Sequence, residues 1–283
     1  MTAATGKIIE DLGSLPPIPH IAAQVLRLVS DPDCSVGELQ RVISSDQALA
    51  AQMLKMANSS AFGMVRKVHT LTQAIMALGL NMVKSVAIAS CAKNLYLRSS
   101  ASFFRMIIWE HALIAALAGH TIAKAFRFQA QDEVFLGALM HDIGKSVMSF
   151  KYPDVHGKIL KDLHEGKITD GLEAEREAFG MDHAMLGEAL VEMWNLPTAF
   201  SQCVRWHHSP SGADPEWRAL TAYVTLGNLF ALEMGKGIGT QRDCSAEKAE
   251  ALQATGISGW VLALHKDQIL ESIETDELLV TGF

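Results

Sequence analysis

An all-α fold is predicted on three observations. Apolar residues recur at three- and four-residue spacing along most of the chain, short alternating stretches are few, and no β–α–β rhythm appears. The first helices show the pattern most plainly. Ile21, Val25, Leu28 and Val29 form one apolar face, Leu39, Val42 and Ile43 a second, and Leu49, Met53, Leu54 and Ala57 a third. Breaks fall at Leu15-Pro16-Pro17-Ile18-Pro19, at Asp31-Pro32-Asp33 and from Asn58 to Gly63, where Pro, Gly and small polar residues interrupt the repeat. Asp33 or Ser35 is placed to cap the second helix, and Ser44, Ser45 or Asp46 the third, because a side-chain oxygen there accepts from an unpaired first-turn N–H. Asn58 and Ser59 are read as the end of the third helix, with Asn58 suited to a left-handed cap.

Thr70 to Ala92 reads as two helices pivoting at Leu78-Gly79-Leu80-Asn81, and a polar break at 99–102 precedes a long apolar helix from Phe103 to about Phe126. A helix starting at Asp132 carries His141 and Asp142, with Gly144 marking its end or a bend. Residues 151–182 are more polar, and Glu173, Glu175, Arg176 and Glu177 are expected on a solvated face. Apolar helices return at 184–194 and 217–234, and 246–275 reads as one or two amphipathic helices.

Composition narrows the class. The chain has 283 residues, 49% of them hydrophobic, which suffices for one large domain or two modest ones with real cores. A net charge of −7 and the lack of any long basic cluster disfavour sequence-independent nucleic-acid binding. Cys34, Cys91, Cys203 and Cys244 are scattered, with no CxxC pair; Cys91 and Cys203 read as buried small hydrophobes, which fits a reducing cytoplasm. Met1 to Lys7 lacks the apolar core of a signal peptide, and no uncharged apolar run reaches the roughly 18 residues of a membrane span. The expectation is a cytoplasmic protein without a membrane partner.

The segment richest in chemistry is Leu139-Met140-His141-Asp142-Ile143-Gly144-Lys145. Neighbouring imidazole and carboxylate suit a borderline divalent metal or a proton-transfer couple. His111 lies upstream, and His183, His207 and His208 downstream. Two readings stay open at this point. The histidines are either core residues held by hydrogen bonds, with Asp142 orienting His141, or ligands of one metal site. Lys145 is read as a surface lysine past a helix end, with neutralisation of a phosphate as the sharper alternative. His120 and Lys124 read as face-filling or solvated; His20, His69, His156, His164 and His265 read as surface residues.

Four stretches in this order resemble an HDOD domain, the HD-related output domain of bacterial signalling proteins. They are Leu15-Pro16-Pro17-Ile18-Pro19, Ile43 to Leu49 leading into Leu54 to Ser59, Ala74 to Gly79, and Leu136 to Gly144. The resemblance spans about residues 12–232. It implies a two-lobed helical bundle, with an N-terminal lobe at 12–98, an HD-like lobe at 103–232 and a helical extension at 233–283 packed on the latter.

Met181 to Gly187 and Val204 to His208 also resemble the HD-GYP phosphodiesterases, in which a comparable His and His-His supply metal ligands. By that resemblance the metal set is His111, His141, Asp142, His183, His207, His208 and Asn228. Two departures stand out. Ser209-Pro210-Ser211-Gly212 replaces the Gly-Tyr-Pro signature, and Asn228 occupies the place of the late Asp that closes an HD metal site. Losing that anion disfavours Mg²⁺, whereas a His-rich set suits Fe, Zn, Ni, Co or Mn. The expected function is therefore a non-catalytic signalling module acting through a protein partner or a small ligand, with nucleotides and cyclic dinucleotides among the ligands. The alternative is a metal-dependent phosphohydrolase, in which His141, Asp142 and Lys145 would act.

Overall fold

Helical periodicity becomes a bundle in which every described regular element is a helix. The computed structural model describes residues 20–29, 31, 33–59, 67–96, 102–240 and 242–274. The breaks at 15–19 and 60–63 lie outside the described residues, as does most of the 99–102 break. The order is α1 (His20–Val29), α2 (Val36–Ser44), α3 (Gln47–Ala57), α4 (Leu71–Tyr96), α5 (Ser102–Ala125), α6 (Gln131–Met140), α7 (Ile143–Lys151) and α8 (Pro153–His164). Then follow α9 (Gly171–Phe179), α10 (His183–Met193), α11 (Thr198–Trp206), a 3₁₀ turn (Pro210–Gly212), α12 (Arg218–Glu233), α13 (Ser245–Thr255), α14 (Gly259–Leu264) and α15 (Lys266–Glu274).

Local chemistry sets the helix ends. Ser35 caps α2 in a reciprocal box with Glu38, and Asp46 caps α3 by accepting from the Leu49 N–H at 3.0 Å. Gly79 interrupts α4 at φ 76°, a left-handed angle that glycine adopts without steric cost. Asn58 ends α3 as expected, but by another device. Its backbone is not left-handed (φ −95°); instead its amide donates to the Leu54 and Val68 carbonyls, and its side-chain oxygen accepts from the Val68 N–H at 2.7 Å. The tail differs too, forming three short helices, α13 to α15, rather than one or two.

One connected apolar core runs from Val25 in α1 to Ile273 in α15. At its centre α5 packs on α12 and α6, while α4 packs on α3 and α6. By length and composition alone, Leu71–Ile88 and Phe104–Ala125 could cross a membrane; 78% of the latter window is buried inside the protein, as in a core helix.

Two glycines bring the elements of the site together. A Cβ on Gly144 would overlap the His183 carbonyl, so α7 and α10 meet backbone to backbone. Gly144 thus serves helix contact inside α7; the bend expected there falls earlier, at His141-Asp142. A Cβ on Gly227 would likewise overlap the Ala115 carbonyl, which draws α12 onto α5.

Candidate metal centre

Five elements deliver polar side chains to one point inside the apolar core. His111 comes from the middle of α5, His141 and Asp142 from the junction of α6 and α7, His183 from the first turn of α10, His207 and His208 from the end of α11, and Asn228 from α12. All are buried except His208, which is half-buried. Asp182 caps α10 by accepting from the Met185 N–H at 2.9 Å, and its other oxygen accepts from Arg176 Nε at 2.8 Å. That cap holds His183 at the helix start.

The histidines share one orientation. Nδ1 of His111 lies 2.8 Å from the Lys236 carbonyl, that of His141 2.5 Å from the Ala138 carbonyl, and that of His207 2.8 Å from the Val204 carbonyl. Nδ1 of His183 lies 2.7 Å from Glu175 Oε2, and that of His208 3.0 Å from Glu247 Oε1. Carbonyl and carboxylate oxygens only accept, so the Nδ1 of His111, His141, His183 and His207 carries a hydrogen and each Nε2 turns inward; the Nδ1 of His208 also lies 3.2 Å from Arg242 Nη2.

Those inward nitrogens crowd together. Nε2 of His111 and His141 are 3.1 Å apart, those of His183 and His207 3.4 Å, and those of His183 and His208 3.2 Å. Facing lone pairs repel unless a cation or a proton lies between them. Metal–nitrogen bonds of about 2.1 Å place adjacent ligands about 3.0–3.4 Å apart, the spacing seen here.

Asp142 joins the two halves. Its Oδ2 lies 3.6 Å from His111 Nε2 and 3.4 Å from His141 Nε2, while Oδ1 lies 3.2 Å from His183 Nε2 and 3.8 Å from His207 Nε2. The donors fall into two triads, His111-His141-Asp142 and His183-His207-His208. Asp142 Oδ1 is buried with no hydrogen-bond partner in the structure. A buried carboxylate oxygen among imidazole nitrogens, with His183 Nε2 at 3.2 Å, fits a divalent transition metal or, in its place, a proton on His183.

Electrostatics agree with that chemistry. Burial, reinforced by the neighbouring His141, pushes His111 down to about 4, and burial with adjacent positive charge holds His207 and His208 well below the usual imidazole range. These rings stay neutral, as ligands must. Burial alone would raise Asp142, but His141 and Lys145 outweigh it and keep the carboxylate ionised. Burial would likewise lower His183, yet the Glu175 carboxylate raises it to about 9. In the metal-free protein a proton on His183 meets the demand a metal would otherwise meet.

Three sequence readings are corrected. Lys145 is not a surface lysine past a helix end: it lies within α7, and its Nζ donates to Asp142 Oδ2 at 2.7 Å. Glu175 is not on a solvated face. It is 1% exposed, and its Oε2 accepts from both the backbone N–H and the Nδ1 of His183. His156 is not a surface residue: it is fully buried, bonded to Ser149 Oγ at 2.7 Å, with Nε2 3.5 Å from Glu175 Oε1. Helical spacing carried both signals. Glu175 shares a face with Leu172 and Phe179, and His156 with Ile159 and Leu160. Of the other histidines, His120 is buried against Asp132, in line with a face-filling role.

A cavity of about 60 Å³ opens onto the centre. His111, Asp142, Lys145, Glu175, His183, His208, Asn228 and Arg242 form its polar lining; Ile108, Leu163, Leu172, Leu232 and Ile238 form its apolar walls. Asn228 lines the same cavity as His111, Asp142, His183 and His208.

Comparison with known proteins bears on the fold and the family. A Geobacter sulfurreducens HDOD domain protein with unknown function superposes with a TM-score of 0.78 at 22% identity, covering 97% of this chain and 98% of its own. A candidate phosphohydrolase of Shewanella amazonensis SB2B gives 0.74 at 22% identity, covering 98% of both chains. A candidate signal transduction protein of Marinobacter aquaeolei VT8 gives 0.72 at 20% identity, covering 95% of this chain and 59% of that one. At such identities the likeness establishes the all-α fold. An uncharacterized protein of Treponema pallidum is 25% identical over 229 residues, 81% of this chain but 44% of that protein, so the chain spans less than half of its length. The HDOD domain family matches residues 15–210, well over half of the sequence, and the chain belongs to that family.

Proposed function

We propose that this protein is a bacterial, cytoplasmic signalling module without catalytic activity. Its His/Asp centre holds divalent transition metal, and it acts by binding a partner protein or a small ligand at the cavity above that centre. The observation carrying this reading is the set of five inward Nε2 atoms around Asp142, paired with a neutral Asn228 where a second carboxylate would be needed. The ligands are His111, His141, Asp142, His183, His207 and His208, with Asn228 as a weak oxygen donor; Fe, Zn, Ni, Co and Mn suit this set better than Mg. Bound metal would act as a Lewis acid and an anchor for anionic ligands. The chain's own groups orient the imidazoles, hold Asp142 ionised and present Lys145 to the cavity. Signalling relatives such as the Marinobacter aquaeolei protein support the regulatory context.

The division of labour proposed with it has an N-terminal lobe at 12–98 that receives or passes the signal, an HD-like lobe at 103–232 that carries the centre, and an extension at 233–283. A hydrolytic reading is favoured by one observation, the Lys145 ammonium beside Asp142 in the cavity, where it would neutralise a phosphoryl oxygen while His141 and Asp142 served the metal. Assaying purified protein with Mn²⁺ or Fe²⁺ on phosphomonoester, nucleotide and cyclic dinucleotide substrates decides between them. The proposal expects no turnover above that of a His141→Ala control; robust turnover abolished by that substitution establishes the hydrolase.

A further inference from the structure

The family match ends at residue 210, yet groups beyond it hold two of the candidate ligands in place. The Lys236 carbonyl accepts from His111 Nδ1, and Glu247, in the first turn of α13, contacts His208 Nδ1. The second contact is contested. His208 Nδ1 lies 3.0 Å from Glu247 Oε1 and 3.2 Å from an Nη2 of Arg242 that itself donates to the same Glu247 oxygen at 2.5 Å.

These two neighbours demand opposite tautomers. A carboxylate only accepts, so pairing with Glu247 requires hydrogen on Nδ1 and leaves Nε2 free as a ligand. A guanidinium only donates, so pairing with Arg242 requires a lone pair on Nδ1 and puts the hydrogen on Nε2. That hydrogen would point at His183 Nε2, 3.2 Å away, and close the ring to metal. In the structure Glu247 engages both rivals. It occupies the Arg242 guanidinium and accepts from His208 at once.

We infer that Glu247 is a positioning residue that selects the metal-competent tautomer of His208, and that Arg242, unless held by Glu247, drives the ring to the other one. The C-terminal extension thereby completes the His183-His207-His208 half of the centre. This inference rests on the metal-binding reading above for its consequence, but the tautomer itself is a property of the metal-free chain. Acceptors of this kind raise ligand basicity and fix ring orientation, and losing one weakens metal binding by about ten- to a hundred-fold.

The test uses the full chain with ¹⁵N-labelled histidine and Zn²⁺ as the only added ion. Long-range ¹H–¹⁵N spectra of metal-free protein should show His208 protonated on Nδ1. Glu247→Leu should move that hydrogen to Nε2 and weaken Zn²⁺ binding about ten- to a hundred-fold. Adding Arg242→Leu to that variant removes the competing donor and should recover part of the affinity. Glu247→Gln, close to isosteric, covers the case in which the leucine variant fails to fold. It retains an acceptor but releases Arg242, and a loss of about ten-fold is expected. The inference is overturned if His208 keeps its Nδ1 hydrogen and its Zn²⁺ affinity in the Glu247 variants, or if the double variant binds no better than Glu247→Leu. Should unmodified protein take up no Zn²⁺, the metal reading fails, and the tautomer comparison still decides the role of Glu247.

Discussion

Glu175 and His183 are tied twice: one carboxylate oxygen accepts from the His183 backbone N–H at 2.8 Å and from its ring Nδ1 at 2.7 Å. A single buried anion thus sets both the start of α10 and the direction of an imidazole. Removing it leaves His156 without a carboxylate partner and His183 with Asp142 alone. Glu175→Ala should lower stability by about 3 kcal/mol in urea unfolding of the metal-free protein, the scale expected when one partner of a buried pair is lost. Unchanged stability would show that the pair is not coupled to folding.

The pH dependence has a sign on each side. His183, raised to about 9, contributes stability that is fully present below its unfolded value near 6.5 and is lost as pH rises through 9. His111, lowered to about 4, acts in the opposite sense, and its contribution is lost as pH falls from about 6.5 towards 4. Metal-free protein should therefore be most stable near pH 6.5 in denaturant titrations. Metal uptake displaces the His183 proton, so affinity should climb between pH 6.5 and 9. A flat affinity across that range contradicts the competition between proton and metal.

Asn228→Asp restores an anion at the cavity and should tighten Zn²⁺ or Mn²⁺ binding by roughly ten-fold, the value of a charge-assisted contact. Without metal, the same change sets a second buried carboxylate beside Asp142 and should lower stability. Competitive titration and thermal melts of one sample read both effects. Tighter binding without the metal-free penalty would mean that residue 228 is farther from Asp142 than the cavity lining indicates.

Two glycines test the packing that builds the site. Gly144→Ala drives a methyl into the His183 carbonyl and should cost roughly 1–3 kcal/mol while weakening metal uptake. At Gly157, in α8, a Cβ meets nothing within 4 Å, so Gly157→Ala should stabilise by up to about 1 kcal/mol through helix propensity. Equal effects at both positions would contradict the close approach of α7 and α10.

Much of this architecture was legible in sequence, because apolar spacing reports helices directly. The starts of α10 and α12 fell within a residue of expectation, and Asp46 and Ser35 were named among the caps. The His141-Asp142 pair and the histidines around it stood out in sequence, and the resemblance supplied the full candidate set; the structure groups six of its members. What escaped was the support beneath them. Glu175 sits in a run of charged residues, and only its register with Leu172 and Phe179 betrays an inward face. Glu247 and the Lys236 carbonyl reach the site through tertiary contacts across 39 and 125 residues, which no local pattern encodes. The three-helix tail was missed for a related reason, as breaks at Gly256 and His265 are short and the flanking periodicity reads as continuous.

The central claim is that Asp142 joins two nitrogen-rich triads into one metal centre. Zn²⁺ content of stripped and reloaded protein, measured by inductively coupled plasma mass spectrometry beside Asp142→Ala, tests it most directly. The account predicts bound Zn²⁺ in the reloaded protein, and loss of metal from the variant with its helical spectrum intact. Protein that returns from reloading with no bound ion, or a variant that retains the full complement, would contradict it.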